Sequence, residues 1–97
     1  MREYEFTIVL KPDLDDDVRN ELIQRVETML THGDGEEDKP TVNHWGQRIL
    51  AYPIKKYNEG YYVLYEANLD PTRISDIERT VTYIDDILRH LVVRKDS

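Results

Sequence analysis

The chain has 97 residues, no cysteine and a formal net charge of −7. That length suits a single domain, which we expect to span residues 1–97. The absence of cysteine excludes disulfides, thiolate nucleophiles and cysteine-based metal sites. No run of about 18 apolar residues occurs, and the first residues lack a signal-peptide pattern. We therefore expect no membrane span and a cytoplasmic location.

The acidic excess lies in the first part of the chain. Residues 1–42 carry 12 acidic and 5 basic side chains, whereas residues 43–97 carry 8 of each. A net negative charge argues against a protein that binds nucleic acid through a broad electrostatic field. The second part of the chain can still present local basic positions.

The chain begins with a predicted strand over residues 4–10, where apolar side chains alternate onto one face. Pro12 follows it, and a run of aspartates then favours the start of a helix. Apolar residues recur at helical spacing over residues 15–31, which predicts an amphipathic helix. Residues 33–40 are polar and predict a loop.

Two strands joined as a hairpin follow. The second strand is predicted over residues 41–54, with a bulge near Gly46. Residues 55–60 are predicted to connect it to a third strand over residues 61–69.

The last two predicted elements are a helix and a strand. Asp70 is a predicted N-cap, and Pro71 suits the first position of a helix over residues 71–82. A final strand is predicted over residues 87–95. The order β-α-β-β-α-β is a split βαβ arrangement, which predicts a four-stranded, mostly antiparallel sheet with both helices on one face.

This topology leaves the other face of the sheet without a helix to cover it. Exposed apolar patches of this kind usually mark an interaction site. The alternatives are incidental surface hydrophobicity, or a face assignment that is wrong by one residue. Strand alternation places the following residues on the uncovered face: Val9, Arg48, Leu50, Tyr52, Tyr62, Leu64, Arg89, Leu91 and Val93.

Sequence patterns that would indicate a metal site or a catalytic site are weak. Asp13, Asp15 and Asp17 resemble the start of a calcium loop, but the glycine and glutamate that complete such a loop are missing. We interpret these aspartates as residues at a helix N-terminus. The three histidines lie in separate predicted elements without ligand spacing. No serine lies in a glycine-flanked turn. We therefore expect no metal, no other cofactor and no small-molecule substrate.

The third strand begins with an aromatic segment. Residues 60–65 are similar to an aromatic RNA-binding signature, but Glu59 replaces its basic residue and the spacing is one residue short. Stacking of RNA bases is therefore disfavoured, and Tyr62 and Leu64 fit protein contacts better.

Basic side chains lie at the predicted strand ends and on the uncovered face. They can form a modest rim that contacts phosphates, or they can be isolated solvated charges. The candidate rim residues are Arg2, Lys55, Lys56, Arg89, Arg94 and Lys95.

Several motifs along the chain carry a family resemblance. They are Arg2-x-Tyr4-Glu5, Leu10-x-Pro12-x-Leu14, Gly46-x-Arg48-x-Leu50-Ala51-Tyr52-Pro53-Ile54, Gly60-Tyr61-Tyr62 and Leu88-Arg89-x-Leu91-Val92-Val93. Together they resemble bacterial small-subunit ribosomal protein S6 over nearly the whole length. The motif over residues 46–54 is the most specific, although Ile49 stands where that family usually has a polar or charged residue.

The resemblance implies a ferredoxin-like α+β fold and a protein without catalytic activity. It also implies a heterodimer with ribosomal protein S18 that binds the central domain of small-subunit rRNA. The expected partner contacts are Leu50, Tyr52, Tyr62 and Leu64, to which we add Leu91 from the uncovered face. The expected RNA contacts are Arg2, Arg48, Lys56 and Arg89, to which we add Arg94 from the rim.

Two other functions deserve comparison. An acylphosphatase-type enzyme on the same fold would need an arginine in a phosphate-binding loop after the first strand, but residues 11–15 are acidic and contain none. A stand-alone βαββαβ module that senses a ligand and covers the open face with a second copy is the alternative that the sequence leaves open.

Overall fold

A computed structural model of the chain describes residues 2–31, 33, 35 and 38–95. The elements are β1 (Arg2–Leu10), α1 (Asp16–Met29), β2 (Thr41–Ile54), β3 (Tyr57–Leu69), a 3-10 turn (Pro71–Arg73), α2 (Ile74–Thr82) and β4 (Ile87–Arg94). The strands form one sheet in the order β2-β3-β1-β4, and each neighbouring pair is antiparallel. The β-α-β-β-α-β order is confirmed, and with it the ferredoxin-like α+β fold.

Both helices cover one face of the sheet, and the main core lies between them and β1, β3 and β4. The alternation predicted for β1 is confirmed, because Tyr4, Phe6, Ile8 and Leu10 all point into this core. Burial of these side chains provides the main driving force for folding. The largest fully buried side chains are Tyr65, Phe6, Ile8, Leu10, Leu30, Leu69, Val26, Val63 and Val81.

The two helices begin in different ways. Asp15 occupies the N-cap position of α1 without a side-chain capping bond, while Asp16 and Asp17 place negative charge at the positive end of the helix dipole. Asp70 caps the second helical segment by accepting a hydrogen bond from the backbone N–H of Thr72 over 3.0 Å. This bond lowers the pKa of the Asp70 carboxyl.

The connection between β2 and β3 is shorter than the sequence suggested. The prediction of a hairpin connection over residues 55–60 is wrong, since β3 already starts at Tyr57. Lys55 and Lys56 form the turn with φ angles of 48° and 76°, both in the left-handed region that a two-residue type I′ hairpin turn requires. The bulge predicted near Gly46 is confirmed by a register shift between His44 and Gly46.

A second irregularity lies near the turn. Ile49 pairs with Glu59 and Ile54 pairs with Tyr57, so four residues of β2 lie opposite one residue of β3. Pro53 falls within this stretch and has no N–H to donate. Regular pairing is therefore interrupted over residues 50–53, and this segment is free to bend out of the plane of the sheet.

Candidate functional site

The face of the sheet opposite the helices carries an apolar surface, which we call the helix-free face. The pairing register places Val9 between Tyr62 and Arg89, and Thr7 between Leu64 and Leu91. Neighbours across strands share a face, so these side chains lie together. Leu91 is 55% exposed, whereas Tyr62 and Leu64 are half-buried. The helix-free face consists of Thr7, Val9, Tyr62, Leu64, Arg89, Leu91 and Val93.

One end of this face is covered by the chain itself. Leu50 is only 9% exposed, because it packs with Val9 and Leu88 in a second, smaller core cluster. Ile54, Tyr57 and Tyr62 pack around this cluster. The expectation that the whole face is bare is therefore corrected. Leu50 was expected on an open surface, and the structure places it in the interior.

The covering segment is the hairpin of residues 49–59, which reaches across the sheet. β2 and β4 are opposite edges of the sheet and stand three strand spacings apart, or about 14 Å. Yet Nη1 of Arg89 on β4 donates a hydrogen bond to Oη of Tyr52 on β2 over 2.7 Å. The Arg89 guanidinium also lies 5.9 Å from the centre of the Tyr52 ring. The hairpin must bend over β3 and β1 to make these contacts.

Gly60 creates the space for this arrangement. It pairs with Arg48 and is buried beneath the hairpin. A Cβ atom at this position would overlap Cγ1 of Val9 and would lie 3.5 Å from Cδ2 of Leu50. The absence of a side chain at Gly60 thus allows the second cluster to pack against the β3 backbone.

The five expected RNA-contacting residues do not form one compact site. Arg2 and Arg94 lie at one end of the sheet, where Arg2 pairs with Leu69 and Arg94 pairs with Tyr4. Arg89 lies towards the other end of β4, about 17 Å from Arg94 at the usual rise of an extended strand.

Lys56 lies in the hairpin turn, at the same end of the sheet as Arg89. Its neighbour Lys55 lines a cavity together with Leu88 and Arg89. Arg48 lies on the edge strand β2, and its guanidinium is 5.5 Å from the centre of the Trp45 ring. The basic positions therefore border the helix-free face at both ends and along one edge.

Lys95, a candidate rim residue, is paired within the chain. Its Nζ lies 2.8 Å from Oε1 of Glu66. The hydrogen bond from Lys95, followed by its positive charge, lowers the pKa of the Glu66 carboxyl. The same contact raises the pKa of Lys95. A phosphate that binds Lys95 must compete with this carboxylate.

Sequence reasoning missed two residues of the site, Leu88 and Trp45. Val9 was placed on the uncovered face, but its packing with Leu88 was not foreseen, since Leu88 is the β4 residue left without a β1 partner at the register irregularity. Trp45 is half-exposed beneath Arg48 and was not assigned a role. A lone tryptophan beside the predicted bulge at Gly46 was the available signal, because large aromatic side chains are enriched in interfaces.

Within residues 2–31, 33, 35 and 38–95, no group of three or more His, Cys, Asp or Glu side chains is arranged to hold a metal ion. Over the same residues, no helix has the length and apolar character needed to cross a membrane.

Comparison with known proteins identifies the family. The family model described as Ribosomal protein S6 matches residues 3–94. Small ribosomal subunit protein bS6 of Caldanaerobacter subterraneus subsp. tengcongensis is 42% identical over 97 residues, which covers 100% of both chains. The bS6 protein of Desulforudis audaxviator is 38% identical over 96 residues, with 99% of this chain and 100% of that protein covered.

The fold agrees with a solved structure of the same family. The crystal structure of 30S ribosomal protein S6 from Thermotoga maritima superposes with a TM-score of 0.84 and 28% sequence identity. The match covers 97% of this chain and 87% of that one. The chain therefore belongs to the ribosomal protein S6 family, whose members are non-enzymatic structural proteins of the small ribosomal subunit.

Proposed function

We propose that this chain pairs with ribosomal protein S18, and that the pair binds the central domain of small-subunit rRNA in the cytoplasm. The observation that carries the proposal is the helix-free face, which presents exposed Leu91 and Val93 beside Tyr52 of the hairpin. Apolar surface of this kind is usually buried against a partner. In this proposal residues 1–97 act as one ribosomal-protein domain. Membership of the family favours it over a ligand-sensing module that pairs with itself.

The proposed S18 contact uses the apolar part of the helix-free face. Leu91 is the exposed end, on the edge strand β4, of a row of side chains that Thr7 and Leu64 continue across the sheet. Tyr52 and Tyr62 provide aromatic groups with a polar end, which interfaces favour. Leu50 supports the contact indirectly, because its packing with Val9 and Leu88 fixes the hairpin that carries Tyr52.

The protein–protein contact can be tested at Leu91. Leu91→Asp places a carboxylate within the apolar part of the proposed interface, at a side chain exposed enough for the fold to tolerate the change. We expect S18 affinity in isothermal titration calorimetry to fall at least tenfold, or by about 1.4 kcal/mol. The matched control is Tyr83→Asp, since Tyr83 is 82% exposed at the end of α2. Unchanged affinity in Leu91→Asp would refute the proposed contact.

The proposed RNA contact relies on local basic side chains, because the net charge of −7 makes the chain alone a poor nucleic-acid binder. In the pair, S18 would supply most of the positive charge, and this chain would add individual phosphate contacts. The residues proposed for these contacts are Arg2, Arg48, Lys56, Arg89 and Arg94.

Salt dependence tests the RNA contacts one by one. The logarithm of the affinity falls as the logarithm of the salt concentration rises. Removal of one phosphate contact should make this negative slope shallower by about 1. We expect Arg48→Ala and Lys56→Ala to show this loss when the assembled pair binds a central-domain rRNA fragment. Arg79→Ala is the control, because Arg79 is an exposed residue of α2 on the helix side. A slope equal to that of the unmodified pair in both Arg48→Ala and Lys56→Ala would refute this part of the proposal.

A further inference from the structure

We propose that Arg89 is a positioning residue, which holds the hairpin of residues 49–59 across the helix-free face and so builds the S18-binding surface through Tyr52. This inference rests on the proposed function for its partner, but its structural part concerns the chain alone. It gives Arg89 a role that is separate from any phosphate contact.

The backbone alone fixes the hairpin poorly. Regular pairing with β3 stops after Ile49 and returns at Ile54, next to the turn. The segment between them therefore depends on side-chain contacts for its position. Leu50 supplies an apolar contact in the cluster with Val9 and Leu88.

Arg89 supplies the polar contact. Tyr52 is 56% exposed, so burial does little to hold its ring in place. Arg89 holds it at the hydroxyl end, with a short charge-assisted hydrogen bond to Oη and its guanidinium 5.9 Å from the centre of the ring. Because Arg89 is anchored on β4, this contact joins the two edges of the sheet.

A fixed hairpin favours partner binding. Tyr52 and the adjacent backbone are ordered before S18 arrives, so their ordering entropy is not lost on association. Without the Arg89 contact, the same surface would have to be assembled during binding. The affinity for S18 then falls even though Arg89 itself need not touch S18.

The test combines amide hydrogen exchange of the free chain with S18 affinity measured without RNA. The variants are Arg89→Ala, Tyr52→Phe and the double variant, with Arg79→Ala as a control. We expect amides of residues 49–59 to exchange about tenfold faster in Arg89→Ala and several-fold faster in Tyr52→Phe. The amides of β1 should keep their protection, which shows that the fold is intact. The double variant should exchange no faster than Arg89→Ala.

S18 affinity should follow the same pattern. We expect a loss of about three- to tenfold in each single variant and no additional loss in the double variant, because both remove one shared contact. Arg89→Lys retains a cationic donor and should recover most of the affinity. Fully additive losses, or unchanged exchange of the hairpin amides in Arg89→Ala, would overturn the proposal. If S18 fails to bind the unmodified chain, the proposed function is wrong, and hydrogen exchange still decides the role of Arg89.

Discussion

A methyl group on Gly60 would overlap Cγ1 of Val9, because the β3 backbone lies directly against that side chain. We expect Gly60→Ala to reduce the free energy of unfolding by about 1–3 kcal/mol, the usual cost of overpacking. Urea denaturation measures this change. Val9→Ala removes the overlapping atom, so the double variant should lose less stability than the sum of the two single variants.

Gly46 provides a contrast for that experiment. A Cβ atom there would have no heavy atom within 4 Å, but the φ angle is +82°. Gly46→Ala should therefore cost about 1 kcal/mol through the backbone alone. Val9→Ala should not relieve this cost. Equal rescue of both glycine variants by Val9→Ala would contradict the packing explanation.

Leu50 and Ile49 are adjacent apolar residues with opposite environments. Leu50 is buried beneath the hairpin, and Ile49 is 82% exposed. We expect Leu50→Ala to lower the free energy of unfolding by about 2 kcal/mol, and Ile49→Ala to change it by less than about 0.5 kcal/mol. Denaturant titration of the two variants under the same conditions compares them directly. Similar losses at both positions would show that the hairpin does not cover Leu50 in solution.

The hairpin turn combines backbone strain with charge. Lys55 and Lys56 both adopt positive φ angles, which asparagine and glycine tolerate better than lysine. Replacing the pair by Asn-Gly should stabilise the chain by about 1 kcal/mol. It should also weaken rRNA binding by the S18 pair, since Lys56 is lost. Lys55→Asn alone should give part of the stabilisation and keep the rRNA affinity. Unchanged rRNA binding by the Asn-Gly variant would argue against a role for Lys56.

The buried hydroxyl of Tyr65 predicts a loss of stability at alkaline pH. It donates a hydrogen bond to the backbone oxygen of Ile23 over 2.8 Å. Burial raises its pKa above the ordinary value of 10.0. A raised folded-state pKa gives stability that is fully present below pH 10 and decreases above it, where the unfolded chain ionises more readily.

Tyr65→Phe separates these effects. At neutral pH we expect the variant to lose about 1–2 kcal/mol, because a buried hydrogen bond is removed. Above pH 10, the difference in free energy of unfolding between the two proteins should decrease. Urea denaturation at pH 7, 9 and 11 follows this trend. A constant difference over that range would mean that Tyr65 does not govern the alkaline response.

The fold could be predicted because the strongest structural signals in the sequence are local. Alternation in β1 places Phe6 and Ile8 in the core, and Asp70 with Pro71 marks the start of the second helical segment. The helix-free face follows from the element order, since two helices on one side leave the other side open. Its members on β1, β3 and β4 lie where strand alternation placed them.

The same reasoning predicted the β2–β3 hairpin but not its position across the helix-free face. Leu50 and Tyr52 were assigned to a regular strand, in which period-two alternation fixes only which face a side chain takes. Their real environment depends on the interrupted pairing between Ile49 and Ile54, which carries the segment over distant strands. Contacts such as that of Tyr52 with Arg89 join opposite edges of the sheet, and no local pattern encodes them.

The strand order also has a consequence for biosynthesis. β1 leaves the synthesising ribosome first, but its two neighbours in the sheet are β3 and β4, the last strands to be made. The strand that carries Phe6 and Ile8 can therefore be paired on both sides only after most of the chain has been synthesised. Such long-range pairing slows folding and leaves apolar segments exposed in the meantime. Newly made chains should thus complete the sheet only after β3 and β4 have been synthesised, before they take their place in a ribosomal subunit.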